Sequence, residues 1–176
     1  MAFDAEKEIY KTWRSKKAAQ DEIGKMYMRW RQVALDLAGE KANPLDVSLK
    51  CSEIMGREVG KSWLPRMSFA KGEENWLKGL TMNYVGWWST LGASIKAQPG
   101  EKPFEVFLSW NRCPWPTFCK EYEVPMEEDV LCCDAFLKHI LKDVNVFFNV
   151  EYDIETLKAI PRGQGQCLRR LFKVEK

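Results

Sequence analysis

The residues best suited to chemistry lie in a segment that runs from a predicted strand into a short predicted helix, residues 104–122. Cys113 lies there within the sequence Arg-Cys-Pro-Trp-Pro, and the next predicted helix carries Cys132, Cys133 and the only histidine, His139. Thiol and imidazole groups are the usual nucleophiles, bases and soft-metal ligands of proteins. We therefore expect any active or metal-binding site to include this segment.

Nucleophilic catalysis requires a thiol that is activated by a base or by a helix N-terminus. Cys113 comes directly before a proline-bounded helix start and follows Arg112, so both neighbours favour its thiolate. Asp134 and His139 are the candidate general bases. The alternative is that Cys113 is a reduced thiol packed at the end of a strand.

Metal binding is a second interpretation of the same cysteines. Structural zinc sites usually take paired ligands two to four residues apart, and this spacing is missing. A site assembled in space would take Cys113, Cys133 and Cys167, with Cys119 and His139 as further ligands, and would hold zinc or iron.

Eight tryptophans favour an aromatic-lined pocket, a large core or an oligomer interface. We predict Trp88, Trp110 and Trp115 as ligand-binding residues. Arg170 lies among apolar residues on one face of the last predicted strand, so it either extends to solvent or pairs with a carboxylate of the protein or of a ligand.

Composition narrows the class of protein. The chain has 176 residues, 45% of them hydrophobic, and a formal net charge of only +2 without a basic run, which argues against nucleic acid as a partner. The sequence contains no apolar run of about 20 residues, so we expect no membrane span. The first residues lack the pattern of a secretion signal, so we expect a cytoplasmic protein with reduced thiols.

Hydrophobic periodicity predicts an α+β protein in which N-terminal helices precede a strand-helix-helix-three-strand unit with an antiparallel sheet. We expect a single domain, 1–176, with a helical half over 1–98 and an α+β half over 103–176. The predicted helices are 4–38, 43–65, 73–97, 117–122 and 126–142, and the predicted strands are 104–110, 144–152, 154–160 and 166–174.

Three glycines and the apolar face of the first helix bear on packing. Gly24 is expected to break the first helix in two, whereas Gly56 and Gly60 stack on one side of the second and would let another helix approach closely. Apolar residues recur along the first helix as one buried face requires, and this helix is also a candidate homodimer contact. Members of that face are Ile9, Trp13, Ile23, Tyr27, Trp30, Ala34 and Leu37.

Three short motifs resemble the L-2-amino-thiazoline-4-carboxylic acid hydrolase-like family, which is similar in turn to four-vinyl-reductase-type small-molecule-binding domains. These motifs are Arg112-Cys-Pro-Trp-Pro, Leu131-Cys-Cys-Asp134 and Leu157-x-x-x-Pro-x-Gly163-x-x-x-Cys167, within residues 104–176. The resemblance implies a hydrolase that acts on a cyclic C–N or C–S substrate with cysteine-assisted chemistry. The alternative is a non-catalytic sensor or accessory module whose tryptophan-lined pocket holds a small molecule or a metal.

Overall fold

The computed structural model describes residues 5–174. Its helices are α1 (Ala5–Ala38), α2 (Pro44–Met67), α3 (Glu73–Thr90), α4 (Trp115–Glu121) and α5 (Met126–Phe148). Its strands are β1 (Ser94–Pro99), β2 (Glu105–Arg112), β3 (Tyr152–Lys158) and β4 (Cys167–Lys173). The predicted α+β class, with N-terminal helices before an antiparallel sheet, is confirmed.

The sheet has the order β1-β2-β4-β3, and each neighbouring pair is antiparallel. Trp110 of β2 lies opposite Cys167 of β4. Along β4 the buried positions alternate with half-buried ones, so Cys167, Arg169 and Leu171 face the core. This alternation places the C-terminal cysteine and one arginine beneath the helices.

The second helix continues through Pro65 to Met67, two residues beyond its predicted end, and two other boundaries differ by a whole segment. The third helix ends at Thr90, and residues 94–99 form β1 instead of a further helical turn. Gly92 adopts φ = 89°, a left-handed conformation that ends the helix. The segment predicted as a strand from residue 144 instead continues α5 to Phe148, and the left-handed Asn149 closes that helix.

The contact between α2 and α5 is close because of two glycines. A Cβ at Gly56 would collide with the backbone oxygen of Phe136, and one at Gly60 would lie 2.8 Å from that of Ile140. The expected role of these glycines in helix packing is therefore confirmed. The same contact holds α5 against the core, and residues on its first three turns line the cavity described below.

The first helix runs unbroken through Gly24, so the predicted break is wrong. Gly24 instead packs against the ring of Phe118, where a side chain would collide. The predicted start at residue 4 lies outside the described residues. The predicted buried face is largely exposed: Trp13 is 56% and Leu37 84% exposed, whereas Met28 is buried. No helix within residues 5–174 is long and apolar enough to cross a membrane.

Candidate functional site

A cavity of about 400 Å³ lies between the helices. Its walls come from all five helices and from the turns that follow α3 and α4, and they are almost entirely apolar. The lining residues are Ile23, Met26, Tyr27, Met28, Trp30, Arg31, Cys51, Ser52, Met55, Trp87, Trp88, Leu91, Trp115, Cys119, Val124, Glu128, Asp129, Cys132, Cys133 and Phe136. This volume falls in the range of sites that bind small molecules.

Aromatic residues form one side of this helix cavity. Trp87 and Trp88 are adjacent on α3, and both line the cavity. Phe136 of α5 packs against each of them, with ring centroids 6.4 Å from Trp87 and 6.1 Å from Trp88. Trp115 joins from the start of α4 and packs edge-on against Tyr27 at 5.4 Å. The predicted ligand-binding residues Trp88 and Trp115 are thus both cavity residues.

The indole nitrogens of Trp87, Trp88 and Trp115 are buried and have no hydrogen-bond partner among the described residues. A buried donor without a partner is costly and uncommon in folded proteins. Because these nitrogens are buried within the wall, it is carbon atoms of the three rings that meet the open space. The aromatic side of the cavity is therefore an apolar surface.

One end of the cavity is polar. Arg31 of α1 makes a two-point ion pair with Glu128 of α5, with Nε to Oε1 at 2.6 Å and Nη2 to Oε2 at 2.9 Å. The buried hydroxyl of Ser48 donates to Glu128 Oε1 at 2.5 Å and accepts from Arg31 Nε at 2.9 Å. These contacts pair the charges of Arg31 and Glu128 within the protein.

Asp129, the next residue of α5, differs from Glu128. Its carboxylate accepts no hydrogen bond from any described side chain or backbone group, although the residue lines the cavity. Burial raises the pKa of Asp129 to about 6, partly offset by the positive charge of Arg169 and reinforced by the negative charge of Asp134. The carboxyl is therefore mainly ionised at neutral pH and lacks a direct partner.

A second, much smaller cavity of about 10 Å³ lies next to the first, and Trp88, Asp129 and Cys133 line both. Such a volume is close to that of a single water molecule. Its other lining residues are Trp110, Cys113, Val130, Ala159, Pro161, Cys167 and Arg169. The three cysteines proposed as metal ligands, and the predicted binding residue Trp110, thus surround this small cavity.

The proposed metal site is not formed by this arrangement. Among residues 5–174 there is no group of three or more His, Cys, Asp or Glu side chains arranged to hold a metal ion. The buried guanidinium of Arg169 lies beside the three thiols and packs over the ring of Trp110, 5.0 Å from its centroid. Its positive charge would repel a metal cation at this position.

The proposed catalytic residues are dispersed. Burial raises the pKa of the Cys113 thiol well above its ordinary value, with the Asp129 carboxylate adding to the effect. Asp134 accepts hydrogen bonds from Thr156 at 2.5 Å and from Arg169 at 3.4 Å. His139 faces α2, where its Nε2 lies 4.0 Å from Glu53, and it lines neither cavity.

The two neighbouring arginines of β4 lie in different surroundings. Arg170, predicted to bind a ligand, lines neither cavity and pairs with Glu105 at 2.5 Å and Glu155 at 3.1 Å. Of the alternatives given for Arg170, pairing with a carboxylate of the protein is the one observed. Arg169 is the buried arginine, only 3% exposed, on the core-facing side of the sheet.

Sequence reasoning missed most of the polar end of the cavity. Arg31, Ser48 and Glu128 come from three distant parts of the chain, and no local motif joins them. Asp129 was not among the predicted site residues, and a carboxylate in the first turn of a helix is common for another reason, the helix dipole. The one signal in the sequence was a run of three consecutive carboxylates, Glu127, Glu128 and Asp129, directly before the apolar face of α5.

No protein-family model and no curated protein matches this chain. The described fold is similar to trafficking protein particle complex subunit 3 from Naegleria fowleri, whose structure is covalently bound to palmitic acid. The TM-score is 0.54 at 11% identity, and the match covers 90% of this chain and 97% of that chain.

A second similar structure is the phenol-responsive sensory domain of the transcription activator PoxR, solved with phenol. The TM-score is 0.53 at 8% identity, and the match covers 85% of this chain and 74% of that chain. Identities this low show a shared fold alone. The resemblance to the hydrolase-like family stays a prediction.

Proposed function

We propose that this chain is a small-molecule-binding module that holds a predominantly apolar compound in the helix cavity. The observation that carries the proposal is an apolar space of about 400 Å³ walled by Trp87, Trp88, Trp115 and Phe136. The space opens to solvent beside α1, where the lining residues Met26 and Trp30 are more than half exposed, so a compound can enter it. Removing an apolar compound from water into this space is favourable in proportion to the area it buries.

The similar folds support the same proposal. The particle-complex subunit carries palmitic acid and the sensory domain carries phenol, and both compounds are largely apolar. The two relatives differ from each other in the size of that compound. A fold of this type is therefore compatible with cavities of different shape, and the lining side chains of this chain select its own ligand.

Hydrolysis with Cys113 as the nucleophile has less support. A raised thiol pKa leaves little thiolate at neutral pH, and the thiolate is the reactive form. The candidate bases lie elsewhere, since Asp134 is paired with Thr156 and Arg169 and His139 faces α2. A binding module requires none of these groups to act together.

Calorimetric titration with n-propylbenzene tests the proposal. We expect saturable binding at one site per chain, with a negative heat-capacity change because apolar surface is buried. The variant Cys51→Trp fills the cavity from α2 and should abolish this binding. The matched control is Lys50→Trp, which adds the same side chain at the neighbouring exposed position and should bind as the natural protein does.

Absence of saturable binding to the natural protein would overturn the proposal. Equal binding by Cys51→Trp and Lys50→Trp would also overturn it, because the compound would then occupy another place. Circular dichroism of both variants should match the natural protein, and it confirms that any loss of binding is not a loss of fold.

A further inference from the structure

The charges around the helix cavity do not balance. Among its lining residues the charged groups are Arg31, Glu128 and Asp129, one cation against two carboxylates, which leaves one negative charge. The lining thiols stay neutral, since burial raises the pKa values of Cys51, Cys119, Cys132 and Cys133. A half-buried carboxylate keeps part of its contact with water until a compound fills the cavity, and a compound without a cation would then leave that charge unpaired.

The unbalanced charge belongs to Asp129. The carboxylate of Glu128 already accepts two hydrogen bonds from Arg31 and one from Ser48, so its charge is paired within the protein. Asp129 receives no hydrogen bond from the described residues. The cation whose charge acts on Asp129 is Arg169, which lies outside the lining and gives its two hydrogen bonds to Asp134 instead.

The groups that act on Asp129 come from each element packed around it. Arg169 of β4 is the cation, and Asp134 of α5 is the carboxylate. The neighbouring thiols are Cys113, Cys119, Cys132 and Cys133. Adding Arg169 and Asp134 to the lining charges contributes one positive and one negative charge, so the surplus remains one negative charge.

We propose that the natural ligand of the cavity is an apolar amine whose protonated nitrogen pairs with the Asp129 carboxylate. This inference rests on the proposed function, because it specifies the ligand class of the same cavity. An ammonium group supplies both the missing positive charge and hydrogen-bond donors for a carboxylate that has none. The carbon surfaces of Trp87, Trp88 and Trp115 suit the apolar body, and indole rings also attract a nearby cation.

Three probes of equal size test the proposal: 2-phenylethylamine, 2-phenylethanol and n-propylbenzene. They differ only in whether the terminal group is an ammonium, a hydroxyl or a methyl group. We expect the natural protein to bind the amine about tenfold more tightly than the hydrocarbon at about pH 7, the effect of one charge-assisted hydrogen bond. The variant Asp129→Asn should remove this preference, so that it binds the amine and the hydrocarbon about equally.

The control variant is Glu127→Gln. Glu127 lies in the same first turn of α5, but it is exposed, pairs with Arg162 and lines neither cavity. This variant removes one negative charge close to Asp129, so it should keep the full preference for the amine. A preference that fell equally in both variants would contradict the proposed direct pairing.

The outcomes separate this inference from the proposed function. If the hydrocarbon binds and the amine binds no better, the cavity is a binding site but the amine proposal is wrong. If the alcohol binds as tightly as the amine, a neutral donor satisfies Asp129 and the proposed charge pairing is wrong. If none of the three probes binds, the proposed function itself fails.

Discussion

Arg31 of α1 and Glu128 of α5 form a buried two-point ion pair that joins the first helix of the chain to the fifth. The side chains are only 11% and 6% exposed. Charges this buried cost free energy to remove from water, and their mutual contacts offset that cost. Because both residues line the cavity, the pair also holds α1 as one of its walls.

Removing one partner of this pair should strongly destabilise the fold. We expect Arg31→Met to lower the free energy of unfolding by about 3 kcal/mol, because Glu128 would remain buried and ionised without a cation. The double variant Arg31→Met/Glu128→Leu should recover most of this loss. Chemical denaturation measures both values. A single variant as stable as the natural protein would show that the pair contributes little.

Asp129→Asn should stabilise the ligand-free protein at neutral pH. Its pKa is raised from 3.8 to about 6 on folding, so the folded state holds the proton more tightly than the unfolded chain. Protonated Asp129 contributes to the free energy of unfolding. This contribution is fully present below about pH 4 and is lost as the pH rises through about 6. The variant should therefore gain about 1–3 kcal/mol at about pH 7 and nothing at about pH 4.

Denaturation at both pH values, with Glu127→Gln as the control, checks this prediction. The pKa of Glu127 is lowered by its contact with Arg162, so its replacement should bring no gain at neutral pH. A pH-independent effect of Asp129→Asn would contradict the burial of an ionised carboxyl. The expected gain also explains why a ligand that compensates this charge would stabilise the protein.

The glycine contact between α2 and α5 gives a sharp packing test. Gly60→Ala should lower the free energy of unfolding by about 1–3 kcal/mol, because the new methyl group meets the backbone of Ile140 at 2.8 Å. Gly86→Ala is the control, since it lies within α3 with open space around it. This control should gain about 0.5–1 kcal/mol from helix propensity. Equal effects in both variants would contradict the close helix contact.

Thiol reactivity tests the electrostatic setting of the cysteines. Burial raises the pKa of Cys133 to about 12, that of Cys132 to about 11, and that of Cys113 well above its ordinary range. We expect an aromatic disulfide reagent to label these thiols in the native protein more slowly than free cysteine at about pH 8. In denaturant all six cysteines should react rapidly. One native thiol that reacted faster than free cysteine, and that the variant Cys113→Ser lacked, would instead favour Cys113 as a nucleophile.

Local signals predicted much of the fold. The second helix was predicted from residue 43, and Asn43 indeed caps α2 through its side chain. The strand predicted over 104–110 corresponds to β2. The boundary between α3 and β1 was missed because a spacing of four residues fits both a helix and a strand. Leu91 and Ile95 are four apart and continue a helical pattern, yet Gly92 ends α3 between them, so β1 was missed.

The cavity itself could not be predicted from periodicity. An apolar stripe on α1 indicates a face turned towards other side chains, but it does not distinguish a packed face from a cavity wall. Tyr27 and Trp30 belong to that stripe and line the cavity, whereas Trp13 is exposed. The charges at its polar end meet only through tertiary structure, since Arg31 and Glu128 are distant in the sequence.

Methionine methyl groups offer the most direct measurement of ligand position. Met26, Met28 and Met55 line the cavity, whereas Met67 is buried elsewhere in the core and Met82 is exposed. NMR spectra of protein labelled with ¹³C at the methionine methyl groups, recorded with and without n-propylbenzene, separate these two sets. We predict shifted signals and intermolecular Overhauser effects for Met26, Met28 and Met55, with Met67 and Met82 unchanged. Shifts confined to Met82, or no shifts at saturating compound, would contradict a ligand site in the cavity.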